Sequence, residues 1–301
     1  MANFKIWLQA FRLRTLPLAF SSILMGAFLA EKFGVFRIDI LIWSLLTTLF
    51  LQVLSNLAND YGDATSGVDG EQRTGPKRTV SEGLISLQSM KRALFITSIL
   101  SFCSGSWLIW IAFGDQLPEV VIFLLLGLGA IGAAIKYTVG KSPYGYSGFG
   151  DLFVLLFFGL VGVCGSFYLY SGYLDADILL PAISCGLLAV GVLNVNNIRD
   201  IESDQASGKY SIPVRIGRKN AILYHKFLLI TPMLLSVVYV FISQPSWSSY
   251  LFLLVSPMLY FNIRAVQKKD KARELDPYLK QLALSTLIYV LLFGIGQILS
   301  L

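Results

Sequence analysis

Two short stretches of the chain carry side chains suited to holding metal ions and phosphate. Asn56, Asn59, Asp60, Asp63 and Asp69 lie in the first, and Asn194, Asn196, Asn197, Asp200 and Asp204 in the second. Asn56, Asp60 and Asp63 are spaced i, i+4, i+7, and Asn196, Asp200 and Asp204 are spaced i, i+4, i+8. On a helix each set forms one stripe. Two carboxylates about 4 Å apart repel by roughly 4 kcal/mol at an effective dielectric of 20, so such clusters call for cations. Oxygen ligands without His or Cys favour Mg²⁺ over zinc, and Mg²⁺ sites typically share substrate phosphate oxygens.

Each stripe is followed by a basic tail. The first continues through Arg73 to Gly75-Pro76-Lys77-Arg78-Thr79-Val80, the second to Gly208-Lys209-Tyr210-Ser211-Ile212-Pro213-Val214. Carboxylates for metal, then Lys and Arg for anionic oxygens, are what a diphosphate requires. One acidic cluster alone would read equally well as a solvated helix end. Two clusters with the same basic tail favour the chemical reading.

The elements that must position these residues are membrane helices. Of 301 residues, 55% are hydrophobic and only 14% charged, against about 25% charged in soluble domains. The mean hydropathy is +0.67. Apolar runs of roughly twenty residues, enough to cross a hydrocarbon core about 30 Å thick, cover 16–34, 38–58, 93–113, 119–136, 149–172, 178–198, 221–243, 248–266 and 278–300. Continuous runs, rather than period-two alternation, predict nine helices and exclude a barrel. Both stripes begin inside apolar spans, where polar groups face a bundle interior.

Charge placement predicts the orientation. All but Lys32 and Arg37 of the 24 lysines and arginines fall before the first span, in the second, fourth, sixth and eighth connections, or in the span ends that border those connections. The positive-inside rule makes that face cytoplasmic, with the N-terminus on it. The basic excess therefore marks topology, and no recognition-helix or zinc-knuckle pattern points to nucleic acid. Cys103, Cys164 and Cys185 stand singly in apolar segments as inert thiols. Lys5, Arg12 and Arg14 precede a run without a cleavage pattern, which predicts a retained first span. His225 is the only histidine, so a His-based zinc site or a Ser-His-Asp triad is not expected.

The two motifs resemble those of the UbiA-type membrane prenyltransferases. They are Asn56-Leu57-Ala58-Asn59-Asp60-Tyr61-Gly62-Asp63, running on to Asp69, and Asn197-Ile198-Arg199-Asp200-Ile201-Glu202-Ser203-Asp204. The flanks, among them Arg14-Thr15-Leu16-Pro17 and Pro213-Val214-Arg215-Ile216-Gly217 with Tyr224-His225, look most like the branch that prenylates 1,4-dihydroxy-2-naphthoate in menaquinone synthesis. Nearly the whole chain fits. The resemblance implies one domain over 1–301, an all-α bundle of nine transmembrane helices around a central cavity in a bacterial cytoplasmic membrane. A weak repeat of four-helix units would cover about 1–140 and 141–280, plus a last helix.

It further implies Mg²⁺ bridging the motifs to a polyprenyl diphosphate, with Asn56, Asp60, Asp63, Asp200 and Asp204 as ligands. Asp69 is a further candidate. Arg73, Lys77, Arg78 and Lys209 would hold the diphosphate, Tyr137 and Lys141 would assist catalysis, and Tyr137 or Tyr144 could face an allylic cation. The acceptor's carboxylate would meet Arg14. Other aromatic acceptors, such as 4-hydroxybenzoate or homogentisate, are the alternatives, with a cation-coupled transporter behind them. The cluster Arg264, Lys268, Lys269, Lys271 and Arg273 would touch anionic lipids, His225 would be structural, and Asp151 would cap a helix or orient a lysine.

Overall fold

The computed structural model describes residues 3–66, 78–243 and 246–300, and among these every regular element is helical. Nine helical runs among the described residues are long and apolar enough to cross a membrane, matching the nine apolar segments in number and order. They comprise α2 (Leu16–Lys32), α3 (Ile38–Ser66), α4 (Leu87–Phe113), α5 (Leu117–Lys136), α6 (Gly150–Ser171), α7 (Leu179–Arg199), α9 (Ile212–Ile242), α10 (Ser248–Lys268) and α11 (Asp276–Ile298). Two short helices complete the set: α1 (Phe4–Phe11) before the first span and α8 (Ile201–Ala206) after the sixth.

The apolar-run reading missed α1, because Lys5 and Gln9 interrupt its hydrophobic positions. The helix is amphipathic instead. Asn3 caps its first turn, and Ile6, Trp7, Ala10 and Phe11 pack with Val53 and Leu57 of α3. Arg12 then takes a left-handed conformation (φ 48°, ψ 52°), and Pro17 opens α2.

The 29 residues of α3, at 1.5 Å rise, make a helix about 43 Å long, longer than the ~30 Å hydrocarbon core. Its last turns, which carry Asn59, Asp60 and Asp63, thus extend to one interface while still helical. The second motif is built differently. Helix α7 ends at Asp200 (φ −99°, ψ 10°), and α8 starts one residue later.

The core lies between α2, α6, α7, α9, α10 and α11, filled by large buried side chains such as Tyr239, Tyr289, Phe252 and Phe293. Helices α6 and α7 meet backbone to backbone: a Cβ placed on Gly186 would lie 2.9 Å from the Gly159 Cα. Small residues permit such close packing where no hydrophobic effect drives helices together. His225, expected to be structural, is fully buried. Its Nε2 lies 2.9 Å from Asn262 Oδ1, which joins α9 to α10, and Asn262 donates onward to the Tyr278 carbonyl at 3.0 Å.

Opposite this core stand α3, α4 and α5, and between the two groups runs a cavity of about 1160 Å³. That exceeds the ~300–1,000 Å³ of an ordinary small-molecule pocket. Helix α5 has no buried residue; Leu126, Ala130 and Ala134 line the cavity. The facing wall comes from α6, whose middle, Leu155–Gly165, is π-helical, a geometry frequent at functional sites.

Candidate active site

One mouth of the cavity is polar. Asn56, Asn59 and Asp63 of α3 face Asn196, Asn197, Asp200 and Asp204 of α7 and α8 there. The body is apolar, with Phe157, Val161 and Tyr168 on one wall and Ile122 and Leu126 on the other.

Each of the motif aspartates that line the cavity, Asp63, Asp200 and Asp204, is closed by its own cation. Arg78 pairs with Asp63, and the Tyr146 hydroxyl donates to the same carboxylate. Arg199 grips Asp200 through two bonds, Nε to Oδ1 at 2.8 Å and Nη2 to Oδ2 at 2.6 Å. Lys209 Nζ lies 3.0 Å from Asp204 Oδ2. All of these carboxylates are buried. Burial pushes the Asp204 carboxyl above the usual carboxylate range, and Asp200 and Asp63 add to the rise, while Lys209 pulls it back. Burial likewise pushes the Tyr146 hydroxyl up, reinforced by Asp63.

Asp60 stands apart from the stripe that its spacing suggests. It does not line the cavity. Its Oδ2 accepts from the Thr79 amide at 3.2 Å and the Thr79 hydroxyl at 2.6 Å, which fixes the chain next to Arg78. The cause is helical geometry. At about 100° per residue, Asn56, Asn59 and Asp63 fall within about 60° of one another, and Asp60 lies about 40° beyond that arc. The cavity-facing set on α3 is therefore Asn56, Asn59 and Asp63, so Asn59 takes the place expected of Asp60.

The connection from α5 to α6 straps the two motifs together. Thr138 Oγ1 donates to the Ala58 carbonyl at 2.9 Å, and a Cβ on Gly62 would lie 2.6 Å from the Thr138 carbonyl oxygen. Farther along, the Tyr210 amide donates to the Tyr146 carbonyl at 2.8 Å, and Arg215 to the Ser147 carbonyl at 2.9 Å. Of the residues expected from this connection, Tyr137 lines the cavity beside Tyr144, their rings 5.3 Å apart. Lys141 is exposed and outside the cavity wall.

Arg14 lines the cavity on the Asn56 side. There the Asn56 amide donates to the Phe11 carbonyl at 2.9 Å and to Thr15 Oγ1 at 3.0 Å. Among the described residues no lysine is paired with Asp151, which lies in the first turn of α6 and accepts from the Tyr224 hydroxyl at 3.1 Å. Asp69, Arg73 and Lys77 lie outside the described residues. Sequence reasoning passed over three participants: Tyr146, Arg199 and Thr79. For Arg199 a signal existed, since it immediately precedes a motif aspartate.

Among the described residues, no three Asp, Glu, His or Cys side chains gather closely enough to hold a metal ion by themselves. The mouth nevertheless fits a hard divalent cation. Its donors are carboxylate and amide oxygens, and Asn197 Oδ1 is buried there without a hydrogen-bond partner among the described residues. A buried acceptor left open is costly unless something else satisfies it.

The sequence profile of the UbiA prenyltransferase family matches residues 19–288. The chain belongs to that family. It is a multi-pass membrane prenyltransferase. Among the relatives of this UbiA-family protein is the 1,4-dihydroxy-2-naphthoate octaprenyltransferase of Haemophilus influenzae, 44% identical over 299 residues, which span 98% of this chain and 96% of that protein. The Escherichia coli protein of the same name is 45% identical over 294 residues, 98% and 95% of the two chains. In fold, the chain resembles a UbiA homolog from Aeropyrum pernix K1 (TM-score 0.68, 16% identity, 96% and 97% coverage). It also resembles a UbiA homolog from Archaeoglobus fulgidus bound to GPP and Mg²⁺ (TM-score 0.63, 18% identity, 95% and 98% coverage).

Proposed function

We propose that this prenyltransferase moves a polyprenyl group from polyprenyl diphosphate to 1,4-dihydroxy-2-naphthoate. Diphosphate and the ring carboxylate, as CO₂, both leave, and the product is the prenylated naphthoquinol, demethylmenaquinol. The observation that carries this reading is the 44–45% identity, over nearly the whole chain, to relatives bearing that acceptor in their names. The site supports it: a carboxylate-lined mouth opens onto a largely apolar cavity of about 1160 Å³, room for a prenyl chain.

The diphosphate would sit at the mouth, between the two motifs. Divalent cations, Mg²⁺ in this reading, would neutralise the charge that builds on it as the C–O bond breaks. Asn59, Asp63, Asp200 and Asp204 would hold them, with Asn56 and Asn197 beside them. Asp60 would serve through Thr79 instead. Arg78 and Lys209, now paired with motif carboxylates, would turn to phosphate oxygens, joined by Arg73 and Lys77. The apolar wall keeps water from the allylic cation, and the Tyr137 and Tyr144 rings offer it π-faces. Arg14 would receive the acceptor's carboxylate and hold the ring until attack. The positive-inside asymmetry supports a mouth and N-terminus on the cytoplasmic side of a bacterial inner membrane, where the basic residues from Arg264 to Arg273 would meet anionic lipid.

The test supplies purified protein with labelled polyprenyl diphosphate and a panel of aromatic acids, with Mg²⁺ or a chelator. Prenylated naphthoquinol and equimolar CO₂, only with Mg²⁺, are expected. Product with 4-hydroxybenzoate alone, or undiminished product in chelator, would overturn the reading.

A further inference from the structure

Arg199 is buried at the mouth and engages four acceptor atoms. Besides its two bonds to Asp200, Nη2 lies 2.9 Å from Asn196 Oδ1. Its other terminal nitrogen, Nη1, is 2.5 Å from Asp276 Oδ1. Asp276 lies 77 residues farther along the chain, in the first turn of α11. It does not line the cavity. One guanidinium therefore stands between a carboxylate that faces the cavity and a carboxylate behind it.

That arrangement has an electrostatic consequence. A guanidinium bonded to both oxygens of Asp200 competes with a divalent cation for the same negative charge. Asp276 draws on the same guanidinium from the other side. Shared between two anions, Arg199 neutralises Asp200 less completely than it would alone, and Asp200 retains more charge for a cation from the cavity. A buried, fully bonded arginine needs no second carboxylate merely to stabilise Asp200, because Asp200 already fills its side-on fork. The N-terminal turn of α11 also favours an anion at this position.

We propose that Asp276 is a positioning residue that sets the cation affinity of the second motif. It acts through Arg199 and touches neither substrate nor metal. Asp276→Asn would take the second anion away from the guanidinium, and an incoming cation would have to displace Arg199 from Asp200 at greater cost. Asp276→Glu keeps the charge within reach of Arg199. Removing the competitor as well, in the double variant Arg199→Gln, Asp276→Asn, would free Asp200 again.

The experiment titrates the purified full-length protein in detergent with Mn²⁺, without substrate, and reads bound ion by electron paramagnetic resonance. Mn²⁺ suits because carboxylate and amide oxygens bind it as they bind Mg²⁺. Asp276→Asn should weaken binding about five- to tenfold, within the usual range for coupled sites. Asp276→Glu should bind within about twofold of wild type, and the double variant should bind more tightly than Asp276→Asn alone. Thermal unfolding of each variant separates this effect from loss of the α7–α11 tie, which would lower the midpoint without an ordered change in ion affinity. Since the inference rests on the divalent-cation reading above, wild-type protein that binds no Mn²⁺ would overturn both together. Bound Mn²⁺ with the same affinity in Asp276→Asn as in wild type, or a double variant no tighter than the single, would overturn the role of Asp276 alone.

Discussion

The two motifs present similar oxygen donors to one cavity mouth, yet the chain holds them by different means. The first rides on an unbroken helix, α3, and is secured by connections: Thr79 on Asp60, Arg78 and Tyr146 on Asp63, Thr138 on the backbone above Gly62. The second sits at a break between α7 and α8 and is secured by packed helices, with Arg199 joining Asp200 to the start of α11. The contacts that hold the first motif are as buried as those that hold the second: Thr79, Arg78 and Thr138 are all buried. The first motif thus depends on loop residues that can be substituted without touching helix packing, whereas the second depends on the tie between α7 and α11.

Substitutions can break or sharpen that contrast. The largest effects should come from carboxylates common to both halves. Asp63→Ala and Asp200→Ala should each lower turnover by about 100- to 1,000-fold, as loss of a group stabilising transition-state charge does, measured as prenylated product per minute. If either variant kept near-normal turnover, the paired mouth would be the wrong description. Next comes the pair Asn59 and Asp60. Asn59→Ala should weaken Mn²⁺ binding about tenfold. Asp60→Asn should leave ion binding nearly intact but lower stability by about 1–3 kcal/mol, because Thr79 loses a charged acceptor. A thermal melt alongside the Mn²⁺ titration reads both, and the reverse pattern would return Asp60 to the cavity.

A smaller effect is expected at the strap. Tyr146→Phe removes one hydrogen bond to a charged group, worth roughly 1.5–3 kcal/mol, and should raise KM for the diphosphate more than it lowers kcat. An equal fall in kcat with KM unchanged would instead put Tyr146 in the chemical step. Least affected should be Lys141→Ala. An exposed residue away from the wall should alter stability by no more than about 0.5 kcal/mol, and turnover should stay within about twofold of wild type.

Much of this was legible in the chain itself. Runs of apolar residues gave nine spans in the right order, and the spacing of Asp200 and Asp204 placed both at one mouth with Asp63. Three features were not legible, each for a physical reason. The rotation of Asp60 away from the cavity depends on where the centre of the α3 stripe falls, and spacing alone leaves it open by tens of degrees. The partners of Asp63 and Arg199, Tyr146 and Asp276, are 83 and 77 residues distant, so only tertiary packing joins them. Helix α1 carries too short and too interrupted an apolar pattern to register as a span, although its contact with Val53 and Leu57 steadies the segment that leads to Arg14.

The central claim is that both motifs hold one diphosphate together, through divalent cations. Its most direct test is the affinity of the purified protein for geranyl diphosphate, measured by calorimetry with and without Mg²⁺ in wild type, Asp63→Asn and Asp200→Asn. The account predicts tight binding only in wild type with Mg²⁺, and loss of that Mg²⁺ dependence when either aspartate is neutralised. Wild-type affinity retained in either variant, still responding to Mg²⁺, would contradict it.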